Sequence, residues 1–314
     1  MNRRHRYRVY GLEVDSELPL SSVDEISFGS AAASIEIALE APEYFAALPS
    51  TGIRDADEWV QHEVLADGRI HIKADGVFEA VVSADGSRVA CTRPESVDQR
   101  TFEANLLNFV LTASLTLRGE ETLHATVVDI RNRAIGLLGR SGAGKSTLAA
   151  FLISRGADLI TDDMLRVAFT QDGVMAYPGP YRLKLFDEPS RRFLPGMAAD
   201  GHFNTLSGKV MLQPRKTFAS GREAKPLVAL FHVAEEAGAP ASGVSAQRLD
   251  GVAFAKAIIS SAMDDRYALL GRLVRQVEFA ARVARVLPVF ELRYPRSFDV
   301  MDEVSELIRK TVDL

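Results

Sequence analysis

The first hundred residues alternate short apolar runs with turn signals. Runs at 63–65, 69–73, 78–82 and 88–92 are separated by Asp67-Gly68, Asp75-Gly76 and Asp85-Gly86, and Asp-Gly supplies the positive-φ turns that join antiparallel strands. This predicts a small antiparallel β module over 1–97. Pro94 ends the strands and Asp98 is placed to cap a helix. Phe102, Leu106, Phe109, Val110, Ala113 and Leu117 then recur at helical spacing until Gly119, so a helix over 98–119 is expected to bridge to a second module. Beyond it the pattern changes. Apolar runs at 126–130 and 134–138 flank a turn at Arg131-Asn132-Arg133, and a Gly-rich loop comes next. A helix then presents Leu148, Phe151 and Leu152 on one face, Gly156 stops it, and a strand at 157–161 begins. Strand, loop, helix and strand make a βαβ unit, whose parallel crossover puts the C-terminal ends of both strands on one side of the sheet. A buried strand at 227–233, a helix within 266–287 closed by Pro288, a strand at 289–292 and a last helix carrying Val300, Val304, Leu307 and Ile308 complete an α/β domain over 120–314.

Composition narrows the class. A chain of 314 residues, 47% apolar and 25% charged, has ample core for about two ordinary domains. The 37 Lys and Arg against 42 Asp and Glu leave a net charge of -5, which argues against a nucleic-acid coat. Cys91 is the only cysteine, so neither an intrachain disulfide nor a cysteine-based zinc cage can form, and a cytoplasmic location is expected. The longest uncharged apolar-rich run, 104–117, is 14 residues long and contains two Asn, two Thr and a Ser. That falls short of the roughly 20 needed to span a bilayer, so no membrane contact is expected. His202 and His232 have no metal-ligand spacing with the other histidines.

The chemistry concentrates in one stretch. Gly139-Arg140-Ser141-Gly142-Ala143-Gly144-Lys145-Ser146 fits G-x-x-x-x-G-K-[ST] between a strand and a helix, with Thr147 next. Glycines let backbone N–H groups turn in around phosphate oxygens and the helix start adds a favourable dipole. Lys145 reaches the terminal phosphates, and the Ser146 hydroxyl can bind Mg²⁺. Asp162 and Asp163 end the next strand, 17 and 18 residues after Lys145. A carboxylate there can hold the second side of the Mg²⁺ and its neighbour can accept a proton from an attacking hydroxyl; a helix cap or a turn would need only one Asp. With Asn132 as the turn centre, His124 comes to lie across from Arg140, at the mouth of the loop, where it serves either structure or chemistry beside the γ-phosphate.

Leu123-His124-Ala125, then 139–147, then Leu159-Ile160-Thr161-Asp162-Asp163 resemble the C-terminal kinase domain of bacterial HPr serine kinase/phosphorylase and its relatives, including HPr-kinase-like enzymes associated with peptide natural-product clusters. The specific resemblance covers 123–185. It implies a P-loop fold related to phosphoenolpyruvate carboxykinase and the cofactors ATP and Mg²⁺. It also implies that Lys145 holds phosphates, Ser146 and Asp163 serve Mg²⁺, Asp162 acts as base and His124 assists it. Two departures matter: Thr147 stands where the HPr enzymes have Glu, and 177–185 lacks the Glu of their signature sequence. Both point away from phosphorolysis and from HPr as the substrate.

The segment 181–225 holds nine basic and four acidic residues, +5 in a chain that is -10 elsewhere. It is either a clamp for phosphate or an acidic acceptor, led by Arg182 and Lys184 on one strand face, or a solvated loop. The reading is an ATP and Mg²⁺ dependent kinase acting on a hydroxyl, foremost Ser of a peptide or protein. The alternatives are a kinase for an anionic small molecule, and a nucleotide-dependent switch without transfer. A homo-oligomer is compatible with the sequence.

Overall fold

The structure is a computed structural model that describes residues 4–27, 34–49, 58–198, 201–204, 207–213, 223–234, 243–263, 269 and 271–313. These fall into two units: Met1–Thr122 with Met263–Arg275, and Leu123–Ala262 with Gln276–Leu314.

In the first unit, β1 (His5–Val9), β2 (Leu12–Ser16), β3 (Ile35–Leu39), β4 (Gln61–Val64), β5 (Ile70–Ala74), β6 (Phe78–Val82) and β7 (Arg88–Thr92) form a sheet in the order β1-β2-β3-β7-β6-β5-β4, with the short helix α1 (Pro42–Ala46) after β3. The β4 to β7 meander turns at Gly68, Gly76 and Gly86, all at positive φ. The module is not antiparallel throughout, as the turn pattern suggested. The chain between β2 and β3 is long enough for a crossover, and β3 enters parallel to both β2 and β7.

The expected helix is α2 (Gln99–Asn105), a π-helical turn at Leu106–Val110 and α3 (Leu111–Leu117), capped by Asp98 accepting from the Thr101 N–H and followed by Gly119 at φ +81°. It contributes to the core of this unit. Leu106, Leu107, Leu111 and Leu115 are fully buried, Glu103 accepts from the N–H groups of Ser21 and Ser22, and the Ser114 hydroxyl donates to the Gly86 carbonyl. The segment 263–275 returns to this unit through the Met263 N–H bonded to the Thr122 carbonyl and the buried Arg272 paired with Glu121 at 3.4 Å.

The second unit contains β8 (Ala125–Ile130), β9 (Arg133–Leu138), α4 (Lys145–Ser154), β10 (Asp158–Thr161), β11 (Val167–Thr170), β12 (Gly173–Ala176), β13 (Leu183–Leu185), α5 (Asp187–Phe193), α6 (Pro195–Ala198), β14 (His202–Asn204), β15 (Lys209–Leu212), β16 (Lys225–Val233), β17 (Ser245–Arg248), α7 (Gly251–Ile259), most of α8 (Arg272–Val286), β18 (Val289–Arg293) and α9 (Met301–Thr311). The helix expected within 266–287 is described from Arg272 only; 264–268 and 270 lie outside the described residues.

The main sheet runs β10-β8-β9-β16-β18-β17, and the first residues of β16 also pair with β12, which pairs with β11. β13, β15 and β14 make a separate antiparallel sheet. β8 is antiparallel to both β9 and β10, whereas β16 is parallel to β9 and β18. β9, β10, β16 and β18 therefore run the same way. The βαβ unit is present with β8 inserted between its two strands, and their C-terminal ends do share one edge.

β8 and β9 read as nearly continuous apolar runs because both faces are covered. Val128, Ile135 and Leu137 join the core around α4 and α9, while Val127, Ala134 and Leu138 join the core containing Ile258, Val283 and Leu287.

The link between Gly86 and Ser114 yields a test. A Cβ at Gly86 would overlap the Ser114 carbonyl at a backbone φ of +69°, whereas one at Gly76, φ +70°, meets nothing within 4 Å. Gly86→Ala should therefore cost about 2–3 kcal/mol and Gly76→Ala about 1 kcal/mol, measured by urea denaturation of the two variants.

Candidate functional site

The chain leaves β9 at Leu138 and turns through Gly139, Gly142 and Gly144, all at positive φ, before α4 begins at Lys145. L-residues rarely adopt these angles, so the glycines are what let the loop curl. A Cβ at Gly139 would meet the Val233 carbonyl at 2.9 Å, and one at Gly144 would meet the Tyr294 hydroxyl at 3.3 Å. Lys145 is buried, and its Nζ donates to the carbonyls of Gly139 at 2.7 Å and Arg140 at 3.0 Å. Burial pulls its pKa down to about 8 against the charges of Asp162 and Asp163.

His124 arrives from the other side of the β8–β9 hairpin. Arg131 and Asn132 both have positive φ and make a two-residue turn, with Ala125 opposite Leu138. The turn centre thus lies between these residues and not at Asn132, so the register puts His124 level with Gly139 and not Arg140, just beyond the last pair, Ala125 and Leu138. Burial, reinforced by Lys145, pushes the imidazole pKa down to about 4, so it is neutral at pH 7.

Asp162 and Asp163 leave the end of β10 with different partners. The Asp162 carboxylate is buried. Its Oδ1 accepts from the Thr126 hydroxyl at 2.7 Å and lies 3.5 Å from the Ser146 hydroxyl, and its Oδ2 accepts from the Lys184 backbone N–H at 2.9 Å. Burial first, then the charge of Asp163, raise its pKa. Asp163 sits at φ +72°, and its carboxylate pairs with the Lys184 ammonium at 2.8 Å. Burial opposes its ionisation, yet Lys184 and then Arg182 hold it well below the usual carboxylate range.

A cavity of about 390 Å³ collects His124, Lys145, Ser146, Asp162, Asp163 and Lys184 together with most of the loop. Gly139 and Arg140 do not line it, and Arg182 lies buried just before β13, acting on Asp163 through its charge. The basic segment contributes less than its composition suggests. Arg191 pairs with Asp187, Arg192 lies over the Phe298 ring, and Lys225 bonds to Asn132 at the far end of the β8–β9 hairpin. Arg215, Lys216 and Arg222 lie outside the described residues.

The structure adds residues with no motif of their own. Lys209 on β15 lines the cavity, and its charge acts on both His124 and Lys145. Glu188 in the first turn of α5, Phe186, Tyr294, Arg296 and Phe298 also line it. Lys209 could have been drawn from the basic segment; the aromatic residues carry no sequence signal beyond lying next to a predicted strand.

Among the described residues no three His, Cys, Asp or Glu side chains gather as a metal cage. The oxygen donors Ser146, Asp162 and Asp163 line one cavity beside the Gly-rich loop and suit Mg²⁺, which is characteristically held by one or two carboxylates plus phosphates. Among the same residues, no helix is long and apolar enough to cross a membrane.

Residues 116–184 match the family described as HPr Serine kinase C-terminal domain. The HPr kinase/phosphorylase of Peptoclostridium acidaminophilum is 35% identical over 72 residues, 23% of each chain. That of Aromatoleum aromaticum is 32% identical over 118 residues, 35% of this chain and 38% of the other. The chain thus aligns with well under half the length of these curated relatives. The solved Hpr(Ser) kinase/phosphatase of Coxiella burnetii is similar with a TM-score of 0.34 at 15% identity, over 60% of this chain and 95% of that one. Through residues 116–184, which carry its Gly-rich loop and aspartate pair, the chain is similar to HPr kinases.

Proposed function

We propose that this site binds ATP with Mg²⁺ and transfers the γ-phosphoryl group to a hydroxyl, with Ser of a peptide or protein as acceptor. One observation carries the reading: the Gly139–Ser146 loop and the Asp162–Asp163 pair meet at one sheet edge, with Ser146 and Asp162 3.5 Å apart. The loop N–H groups and Lys145 would hold the phosphates, Lys145 exchanging its carbonyl partners for phosphate oxygens. Ser146 and Asp163 would hold Mg²⁺, which when bound neutralises charge on the phosphate oxygens.

The two aspartates then keep the roles that the family resemblance implied. Burial and the charge of Asp163 raise the pKa of Asp162 and make it the better proton acceptor, whereas Lys184 and Arg182 hold Asp163 ionised, as a cation ligand must be. Asp162 then takes the proton as the acceptor oxygen attacks phosphorus and the bond from the γ-phosphorus to the β–γ bridging oxygen breaks, releasing ADP. His124, neutral at pH 7, lines the same cavity and would assist it. The reading is of a kinase, and phosphorolysis is not part of it.

Incubation with Mg²⁺ and γ-labelled ATP in extract from the source cells, fractionated by size, tests the acceptor. Label should appear on Ser of a peptide or protein. Label confined to small molecules overturns that acceptor, and tight Mg-ATP binding with no labelled product makes the site a switch.

Asp162→Asn is expected to bind ATP within about threefold of the parent but lose at least about a hundredfold in turnover. Asp163→Asn should chiefly raise the Mg²⁺ concentration needed. Normal turnover in Asp162→Asn would overturn its role as base.

ATP affinity should hold between pH 7 and 8 and fall above pH 8 by up to about tenfold per unit, because Lys145 in the free protein is charged only below its depressed pKa. Calorimetric titrations across pH 7–10 check this, and a fall that starts only near pH 10 contradicts it.

A further inference from the structure

The strand order of the second unit does more than assemble the loop. β9, β10, β16 and β18 run the same way, so their C-terminal ends share an edge, in the sequence β10, β9, β16, β18, with the N-terminal end of β8 between β10 and β9. At this edge the β10 flank carries Asp162, Asp163 and His124, which opens β8. The Gly-rich loop leaves β9, and the chain after β18 supplies Tyr294, Arg296, Ser297 and Phe298 on the opposite flank.

The two flanks differ in chemistry. The acid flank holds Lys184 and Lys209 as well, so its charge suits phosphate and a transferring group. The other lines the cavity with Phe298, Met301 and Tyr294 beside Arg296, and the Tyr294 hydroxyl stands where a Cβ at Gly144 would meet it at 3.3 Å. Phe298 is fixed edge-on against Phe193 at a centroid distance of 5.3 Å, with the Arg192 guanidinium 4.8 Å from its ring centre. The Ser297 hydroxyl accepts from the Asp299 N–H and locks the turn that places Phe298. A preformed apolar wall continuous with a phosphate cradle is the arrangement that takes a planar aromatic group joined to a phosphate chain.

We propose that the Tyr294–Phe298 wall is the subsite for the base and ribose of the nucleotide, so that the ligand lies across the sheet edge with its base on the β18 flank and its terminal phosphate toward Asp162 and Asp163. This deepens the kinase reading and rests on it for the phosphate site. It also accounts for residues that no motif covers. Phe298 contributes contact area to the base, and the Tyr294 hydroxyl borders the place where the ribose joins the phosphates.

The test compares ATP with inorganic tripolyphosphate, each with Mg²⁺, by calorimetric titration of the full chain. The parent should bind ATP about tenfold or more tighter than tripolyphosphate, the difference being the contribution of base and ribose. Phe298→Ala should remove most of that difference and leave tripolyphosphate affinity unchanged. Phe298→Leu keeps apolar volume against Phe193 and should show the same selective loss, so that a folding defect in the alanine variant does not decide the matter. Retained tripolyphosphate binding also reports an intact loop. The proposal is overturned if the parent binds tripolyphosphate as tightly as ATP, or if both variants bind ATP like the parent. Failure of the parent to bind either ligand overturns the phosphate-loop reading, and this proposal with it.

Discussion

A single buried carboxylate ties the site together. Asp162 is removed from water and receives the Thr126 hydroxyl from β8 and the Lys184 backbone N–H from β13, with the Ser146 hydroxyl of α4 within 3.5 Å. A carboxylate in that position is costly unless its lone pairs are engaged, so the satisfaction of Asp162 requires the two strands and the start of the helix to stand at fixed distances. Displacing any of them would leave a buried acid without its donors. The same bonds that make the group tolerable therefore set the spacing between the loop and the end of β10.

Around that anchor, charges are arranged unequally. Lys145, Lys184 and Lys209 line one cavity with two adjacent carboxylates and a neutral imidazole. Lys184 is engaged with Asp163 by its side chain and with Asp162 by its backbone, so one residue of β13 addresses both acids in different ways. That division keeps Asp163 ionised while Asp162 is pushed toward its neutral form, and two neighbouring aspartates acquire unlike chemical characters. The excess of cationic groups is suited to a polyphosphate, and burial holds Lys145 closer to neutrality than an exposed lysine.

The sheet supplies the remaining constraint. Because β8 separates β9 from β10 and is antiparallel to both, the loop after β9 and the acids after β10 emerge on one edge with the start of β8 between them, which is where His124 stands. β16 and β18 extend the same edge in the other direction. The elements that build this edge are covered by apolar residues on both faces, which gives it the rigidity that positioning a reacting group demands.

The loop, the helix it opens, the meander turns and the Asp98 cap were legible in the sequence because each depends on local chemistry: positive-φ glycines, a capping carboxylate, and the 3.6-residue or 2-residue period of burial. So were the acid pair and the shared edge of β9 and β10, which depend on chain direction alone. What the sequence did not contain was the neighbour of each strand. The parallel entry of β3 between β2 and β7, the half-residue shift of the hairpin that moves His124 level with Gly139, and the incorporation of the 98–119 helix into the first core depend on partners far away in the chain. Lys209 and Phe298 reach the cavity only because β15 and the chain after β18 are brought beside it by pairings that no local pattern specifies. The sequence by itself determined which groups could hold phosphate; the tertiary structure decided which of them face one another, because burial and strand pairing act between residues that are close in space and distant along the chain.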